Sequence, residues 1–238
     1  MYCWGSTENG ELGLGGSEVE QVLLPTFNNF GLTKKIKQIA SGLTHTLFLS
    51  EEGEVFSCGS NEGGQLGHSN SKRKPVHWMV YSWGENVFGQ LGIQPTETII
   101  ETPKLIKTLA TKQVIQISCG ANHSLALTLD NEVYAWGLNN HGQLGFPENK
   151  NSRFWQPQCI QPLSSVPVRL IKAGGHHSVA LTKGGFLLTW GSNKYGQLGR
   201  PTDSCYDSAK YSCGHSVVED MGQVYSFGQG MSGQLGML

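Results

Sequence analysis

The chain has 238 residues with 17 basic and 18 acidic side chains, a net charge of −1, so bulk charge points to neither a nucleic acid nor an anionic membrane as partner. No stretch approaches the roughly 18 consecutive apolar residues of a membrane-spanning helix, and the opening MYCWGSTENGELG lacks the basic and apolar regions of a secretory leader; the expected compartment is the cytosol, or the nucleus by diffusion. Thirty-two glycines with only 15% charged residues, against an ordinary glycine share of roughly 7%, argue against long helices and demand many tight turns.

Taken in chain order, the glycines fall into a recurring phrase. It appears first as WGSTENGELG, Trp4 to Gly13, with Gly5 behind the tryptophan. A second kind of phrase follows, SGLTHTLFL from Ser41 to Leu49, with His45 at its centre. The first kind returns as CGSNEGGQLG (Cys58 to Gly67, including Gly59) and as WGENVFGQLG (Trp83 to Gly92, including Gly84). Next come CGANHSLAL (Cys119 to Leu127, with His123) and WGLNNHGQLG (Trp136 to Gly145, including Gly137). Then AGGHHSVAL (Ala173 to Leu181, with His177) precedes WGSNKYGQLG (Trp190 to Gly199, including Gly191). Last are a shortened CGHSVV (Cys213 to Val218, with His215) and FGQGMSGQLG (Phe227 to Gly236, including Gly228).

The closing glycines at 13, 67, 92, 145, 199 and 236 lie 54, 25, 53, 54 and 37 residues apart. A unit of about 54 residues is therefore repeated. The short steps mark losses: the whole G-x-x-H phrase is absent between Pro75 and Tyr81, and the linker before Cys213 is compressed. The expected weak point is Pro75 to Tyr81, with Trp78 and Met79 partly exposed and proteolysis starting there, because missing strands open sheet edges.

Each unit reads as strands. In ISCGANHSLALTL, Ile117, Cys119, His123, Leu125 and Leu127 alternate with Ser118, Asn122, Ser124 and Ala126, the period-two pattern of a strand with one buried face. The turn residues Asp130 and Asn131 before NEVYAWG predict a hairpin. Glycines 137, 142 and 145 are placed where a short strand leaves the sheet and re-enters it, and Leu144 and its equivalents plug the space between sheets. Units of four short strands cannot bury their own faces and must stack, which predicts an all-β propeller of about five to six blades, some lacking inner strands, as a single repeat domain over residues 1–238.

The pattern W-G-x4-G-Q-L-G with an upstream C/A-G-x-x-H-S/T-L-A-L resembles the repeat of the regulator of chromosome condensation family, whose members form seven-bladed propellers. MYCWGSTENGELGLGG and GQLGHSNSKRKP, Gly64 to Pro75, are similar to the opening of the small members of the HERC group, in which such a propeller precedes a HECT ubiquitin-ligase domain. The resemblance implies a protein-binding scaffold in the ubiquitin pathway, recruiting substrates or regulators. The chain itself is not expected to be an enzyme, since a HECT domain finds no room in it. Seven full units would need roughly 380 residues, so the ring is expected to be irregular. The other activity the resemblance implies is guanine-nucleotide exchange on a Ran-like small GTPase. In the family that activity accompanies a wedge-like insertion and a basic tail, whereas here the repeats begin at Met1 and no insertion is evident. Partner specificity is expected in the variable loops Phe146 to Pro157 and Ile93 to Pro103.

The residues offer little chemistry beyond this. His45, His123, His177 and His215 share one repeat position, which suits a structural role better than a metal or catalytic one, since one ring per blade is spread around an axis. His68, His77, His141 and His176 are expected to be exposed. No G-x-S-x-G, phosphate loop or paired-carboxylate arrangement appears, and no cofactor or metal is expected. Cys205, Cys213 and His215 fit no zinc spacing, and the six cysteines read as reduced. Glu51, Glu52, Glu54, Asp130, Glu132, Glu219 and Asp220 sit at predicted turns, and Lys72, Arg73 and Lys74 in a solvated loop. Asn122-His123-Ser124 matches a glycosylation sequon that has no meaning without secretion.

Overall fold

A computed structural model describes residues 1–14, 21–30, 34–67, 79–94, 97–146 and 153–199, and the backbone alone of 215–220 and 223–228. His68, Lys72, Arg73, Lys74, His77, Trp78, Cys205, Cys213 and Gly236 lie outside the described residues, as do the side chains of His215, Glu219 and Asp220. The described residues are all-β and antiparallel, with two single 3-10 turns at Lys107–Leu109 and Gln161–Leu163. They divide into two compact units.

The first unit comprises Met1–His77, Tyr81–Asn86 and Glu97–Lys104. Strands β1 (Tyr2–Ser6) and β2 (Gln21–Phe27) form one sheet, β3 (Ile36–Ser41), β4 (His45–Ser50) and β5 (Val55–Gly59) a second, and β6 (Tyr81–Glu85) pairs with β7 (Ile99–Leu105), which ends just past the unit. Its apolar packing is thin: Phe30 stacks on Phe48 and Phe56 at 5.6 and 5.0 Å between ring centroids, while Tyr2, Trp4, Leu23 and Leu24 are exposed. Among the described residues β6 has no inner strands beside it, as the missing G-x-x-H phrase predicts.

The second unit comprises Trp78–Val80, Val87–Thr96 and Leu105–Leu238. Here β8 (Val114–Cys119), β9 (His123–Thr128), β10 (Val133–Leu138) and β11 (Arg153–Cys159) form a four-stranded meander in the spatial order β11-β10-β9-β8. The next sheet is β12 (Val168–Ala173), β13 (His177–Thr182) and β14 (Leu187–Gly191), followed by the pair β15 (His215–Asp220) and β16 (Gln223–Gly228). Between the first two of these sheets, Leu125, Leu127, Val133 and Ala135 meet Ile171, Ala180 and Val168, with Leu144 wholly buried in the middle. Leu144 thus fills the inter-sheet space expected of it. At several kcal/mol for each such large buried side chain, this seam is the main apolar stabilisation of the unit.

Three expectations need correction. Strand β9 is buried along its whole length on both faces instead of one, because neighbouring residues cover the sheet from both sides. Ile117 and Cys119, assigned to the buried face, are exposed. The loops proposed to carry specificity also run into regular structure, since Ile99–Leu105 and Arg153–Cys159 are outermost strands. Met79 is 38% exposed, in line with the expectation for it.

Candidate functional site

The repeated residues meet at the seams between successive sheets. In the second unit, the carbonyl of Gln90 accepts the Trp136 indole N–H at 2.9 Å and the Ser124 hydroxyl at 2.8 Å. The carbonyl of Gln143 accepts the Trp190 indole at 2.9 Å and the Ser178 hydroxyl at 2.7 Å. Both lone pairs of one carbonyl are thereby used by the following sheet. The side-chain Oε1 of Gln90 and of Gln143 turns back to accept the backbone N–H two residues earlier, Phe88 and His141. The indole part of the arrangement and the turn closure hold in the first unit, where Trp83 donates to the Gln65 carbonyl at 2.9 Å and Gln65 Oε1 accepts the Gly63 N–H.

Spacing within the phrase follows from this clamp. Gly92 has φ +70°, and a Cβ there would sit 2.8 Å from Trp136 Nε1. The closing glycine therefore lets the next tryptophan lie flat on the backbone. Where the sequence has Cys58 in place of tryptophan, the thiol donates to the Glu11 carbonyl at 3.2 Å, so a smaller donor serves the position equivalent to the indole. Trp4 is 60% exposed. Gly137 has φ +102° and lies against the backbone of Asn122 and His123, so neither a side chain nor an ordinary φ suits the exit from β10.

The histidines sit at strand starts, each folded over the glycine three residues before it: His45 over Gly42, His123 over Gly120 and His177 over Gly174. His123 Nε2 lies 2.9 Å from Ser178 Oγ. Because the single Ser178 proton goes to the Gln143 carbonyl, His123 donates from Nε2. Burial, aided by neighbouring His176 and His177, pushes its pKa down to about 3. His141 and His176 are not exposed as expected: they are half-buried, their rings 5.2 Å apart, and burial lowers both pKa values. Among the described residues no three His, Cys, Asp or Glu side chains stand where they could hold a metal.

The turn carboxylates are not uniformly solvated. Glu132 pairs with Lys112 at 2.7 Å and Glu54 with Lys34 at 2.6 Å, and the Lys112 hydrogen bond holds the Glu132 pKa below the usual carboxylate range. Asn131 has φ +65° and fastens the next sheet, its amide donating to the Val166 carbonyl at 2.7 Å and its Oδ1 accepting the Val168 N–H at 2.8 Å. Gln116 and Ser118 of β8 reach across to the backbone of β12: Gln116 grips both Ile171 N–H (2.9 Å) and C=O (3.0 Å), and Ser118 accepts the Ala173 N–H at 2.9 Å. Sequence reasoning passed over these polar clamps. The repeated glutamine of GQLG was the visible signal, but its use of a main-chain carbonyl leaves no mark on residue identity.

Comparison with known proteins fits this geometry. The profile described as Regulator of chromosome condensation (RCC1) repeat matches residues 1–49, 79–127, 130–181 and 184–216, and a second of the same description matches 36–65, 114–143 and 168–197. The chain is 37% identical to the probable E3 ubiquitin-protein ligase HERC4 of Mus musculus over 277 aligned residues, covering 99% of the chain but 26% of that protein. The alignment exceeds the chain's 238 residues by 39 positions. Among solved structures, human WBSCR16 superimposes with a TM-score of 0.81 at 22% identity, covering 99% of this chain and 73% of that one, a likeness of fold. Prp20p from Saccharomyces cerevisiae, described with its binding properties to Gsp1p and histones, gives a TM-score of 0.77 at 28% identity over 95% of this chain and 65% of that one. The blades are thus of the propeller type that the repeat predicts.

Proposed function

We propose that the chain, which belongs to the regulator of chromosome condensation (RCC1) repeat family, is a protein-binding scaffold that recruits substrates or regulators to a ubiquitin-ligase module, acting in the cytoplasm. The observation that carries this reading is the likeness to HERC4 along 99% of the chain. The chain spans 26% of that relative's length, and only recruitment is proposed for these repeats. The seams support such a role: their polar groups are spent on holding sheets together, leaving loops between strands for partners. Affinity capture with the full chain, followed by quantitative binding of each captured protein, tests the reading. Saturable binding of a ubiquitin-pathway protein is expected, and absence of any saturable protein partner contradicts it.

A second reading, nucleotide exchange on a Ran-like GTPase, is favoured by the likeness to Prp20p at 28% identity. Release of a fluorescent guanine nucleotide from such a GTPase separates the two. The scaffold reading expects the release rate to be unchanged by the chain, and a catalytic acceleration would replace it with the exchange reading.

A further inference from the structure

Among the described residues, His141 and His176 are the two histidines that the repeat does not account for. At the place of His141 the neighbouring closing phrases carry Phe88 and Tyr195, and at the place of His176 the earlier G-x-x-H phrases carry Thr44 and Asn122. Both histidines lie in the second unit, at the seam closed by the Gln143 carbonyl. Their backbones are fixed there. The His141 N–H donates to Gln143 Oε1 at 2.9 Å, and the His176 carbonyl accepts the Ser192 N–H at 2.9 Å. The two rings stand 5.2 Å apart between centroids, with their planes inclined by 52°.

We propose that His141 and His176 together hold a zinc ion, as two neutral imidazoles on adjacent corners of a tetrahedron. With a metal–nitrogen bond of about 2.0–2.1 Å and a ring nitrogen about 1.1–1.2 Å from its centroid, two such imidazoles have centroids about 5.2 Å apart, against about 4.5 Å at a right angle. The spacing of this pair is the tetrahedral one. Two orphaned nitrogens point the same way. His176 Nδ1 is buried and has no hydrogen-bond partner among the described residues, and a bond to the ion takes up its lone pair. Gln143, 0% exposed and bonded through Oε1 to the His141 N–H, leaves its Nε2 buried and equally unpartnered. A metal-bound water gives that amide an acceptor, the usual support from beyond the ligands themselves.

The ionisation of the pair suits the role. Burial lowers the pKa of both rings, His141 adding to the effect on His176, and no carboxylate opposes it at either. Both rings are therefore neutral at pH 7, as metal ligation requires. No third His, Cys, Asp or Glu joins them among the described residues, so each imidazole displaces one water from the hydrated ion and water fills the remaining corners. Imidazole nitrogen selects zinc over magnesium and calcium, which prefer oxygen. The ion spans the seam, tying the closing phrase to the turn between β12 and β13 beside the Gln143 clamp.

The site lies within the chain and does not depend on the scaffold reading. Its test is calorimetric titration of the full chain, reduced and stripped of metal, with zinc chloride. His141→Tyr and His176→Asn are the variants, since Tyr195 and Asn122 stand at the same positions of other repeats and folding is expected to survive. One saturable site is expected, weakened at least about tenfold by either substitution and unchanged by Cys119→Ser. Zinc should raise the thermal midpoint of the parent and of neither histidine variant. Independently of any variant, the imidazole NMR signals of His141 and His176 should shift with zinc while that of His45 stays in place. No saturable binding, binding that survives either histidine substitution, loss of the site with Cys119→Ser, or equal affinity for magnesium chloride overturns the proposal.

Discussion

Gln90 works through its main chain and its side chain at once, the carbonyl serving Trp136 and Ser124 while Oε1 closes its own turn onto Phe88. Trp136→Phe keeps most of the apolar contact but removes one donor from a buried carbonyl, and should cost about 1–2 kcal/mol in chemical denaturation. Gly92→Ala must place a Cβ against the Trp136 ring at a left-handed φ and should cost about 1–3 kcal/mol; a neutral result would mean that the indole does not rest on this glycine. His123 makes stability depend on pH. Its pKa falls from 6.5 to about 3 on folding, so the unfolded chain binds the proton more readily. Stability is then full above about pH 6.5 and is lost as the pH drops toward 3, by about 2 kcal/mol between pH 6.5 and 5 from this group alone. His123→Gln, less stable at pH 7 through lost packing, should show a shallower further loss over that interval. An unchanged slope in the variant would refute the assignment.

At the scale of strands and sheets, the hairpins, the four-stranded unit and the gap before Tyr81 were legible because turn residues and period two are local signals. What period two cannot tell is whether another sheet covers a face. Ser124 looked solvent-facing, yet it is buried with its hydroxyl on the Gln90 carbonyl; Ile117 looked buried, yet it is exposed. Glu132 was read as a turn carboxylate and Asn131 as a hairpin turn residue, whereas one also holds Lys112 and the other also ties down the start of β12. The contrast between equivalent isoleucines gives a direct test. Ile171→Ala should cost about 2–5 kcal/mol as a cavity in a closed seam, while Ile117→Ala should stay within about 0.5 kcal/mol. Equal losses at both positions, read from denaturant midpoints, would show that β8 is covered in solution.

For the molecule as a whole, the repeat family could be read from six glycine-rich phrases, but partner identity could not, since specificity depends on loop and strand surfaces that differ from unit to unit. The physical point on which the rest depends is that, in the second unit, the closing phrase around Leu144 secures the β8–β11 sheet to the β12–β14 sheet. Leu144 belongs to neither sheet's strands, yet packs against both. Hydrogen exchange read by mass spectrometry on Leu144→Ala tests this most directly. Protection should fall together across Val114–Cys159 and Val168–Gly191, as one cooperative unit. Faster exchange confined to the loop around residue 144, or to one of the two sheets, would contradict it.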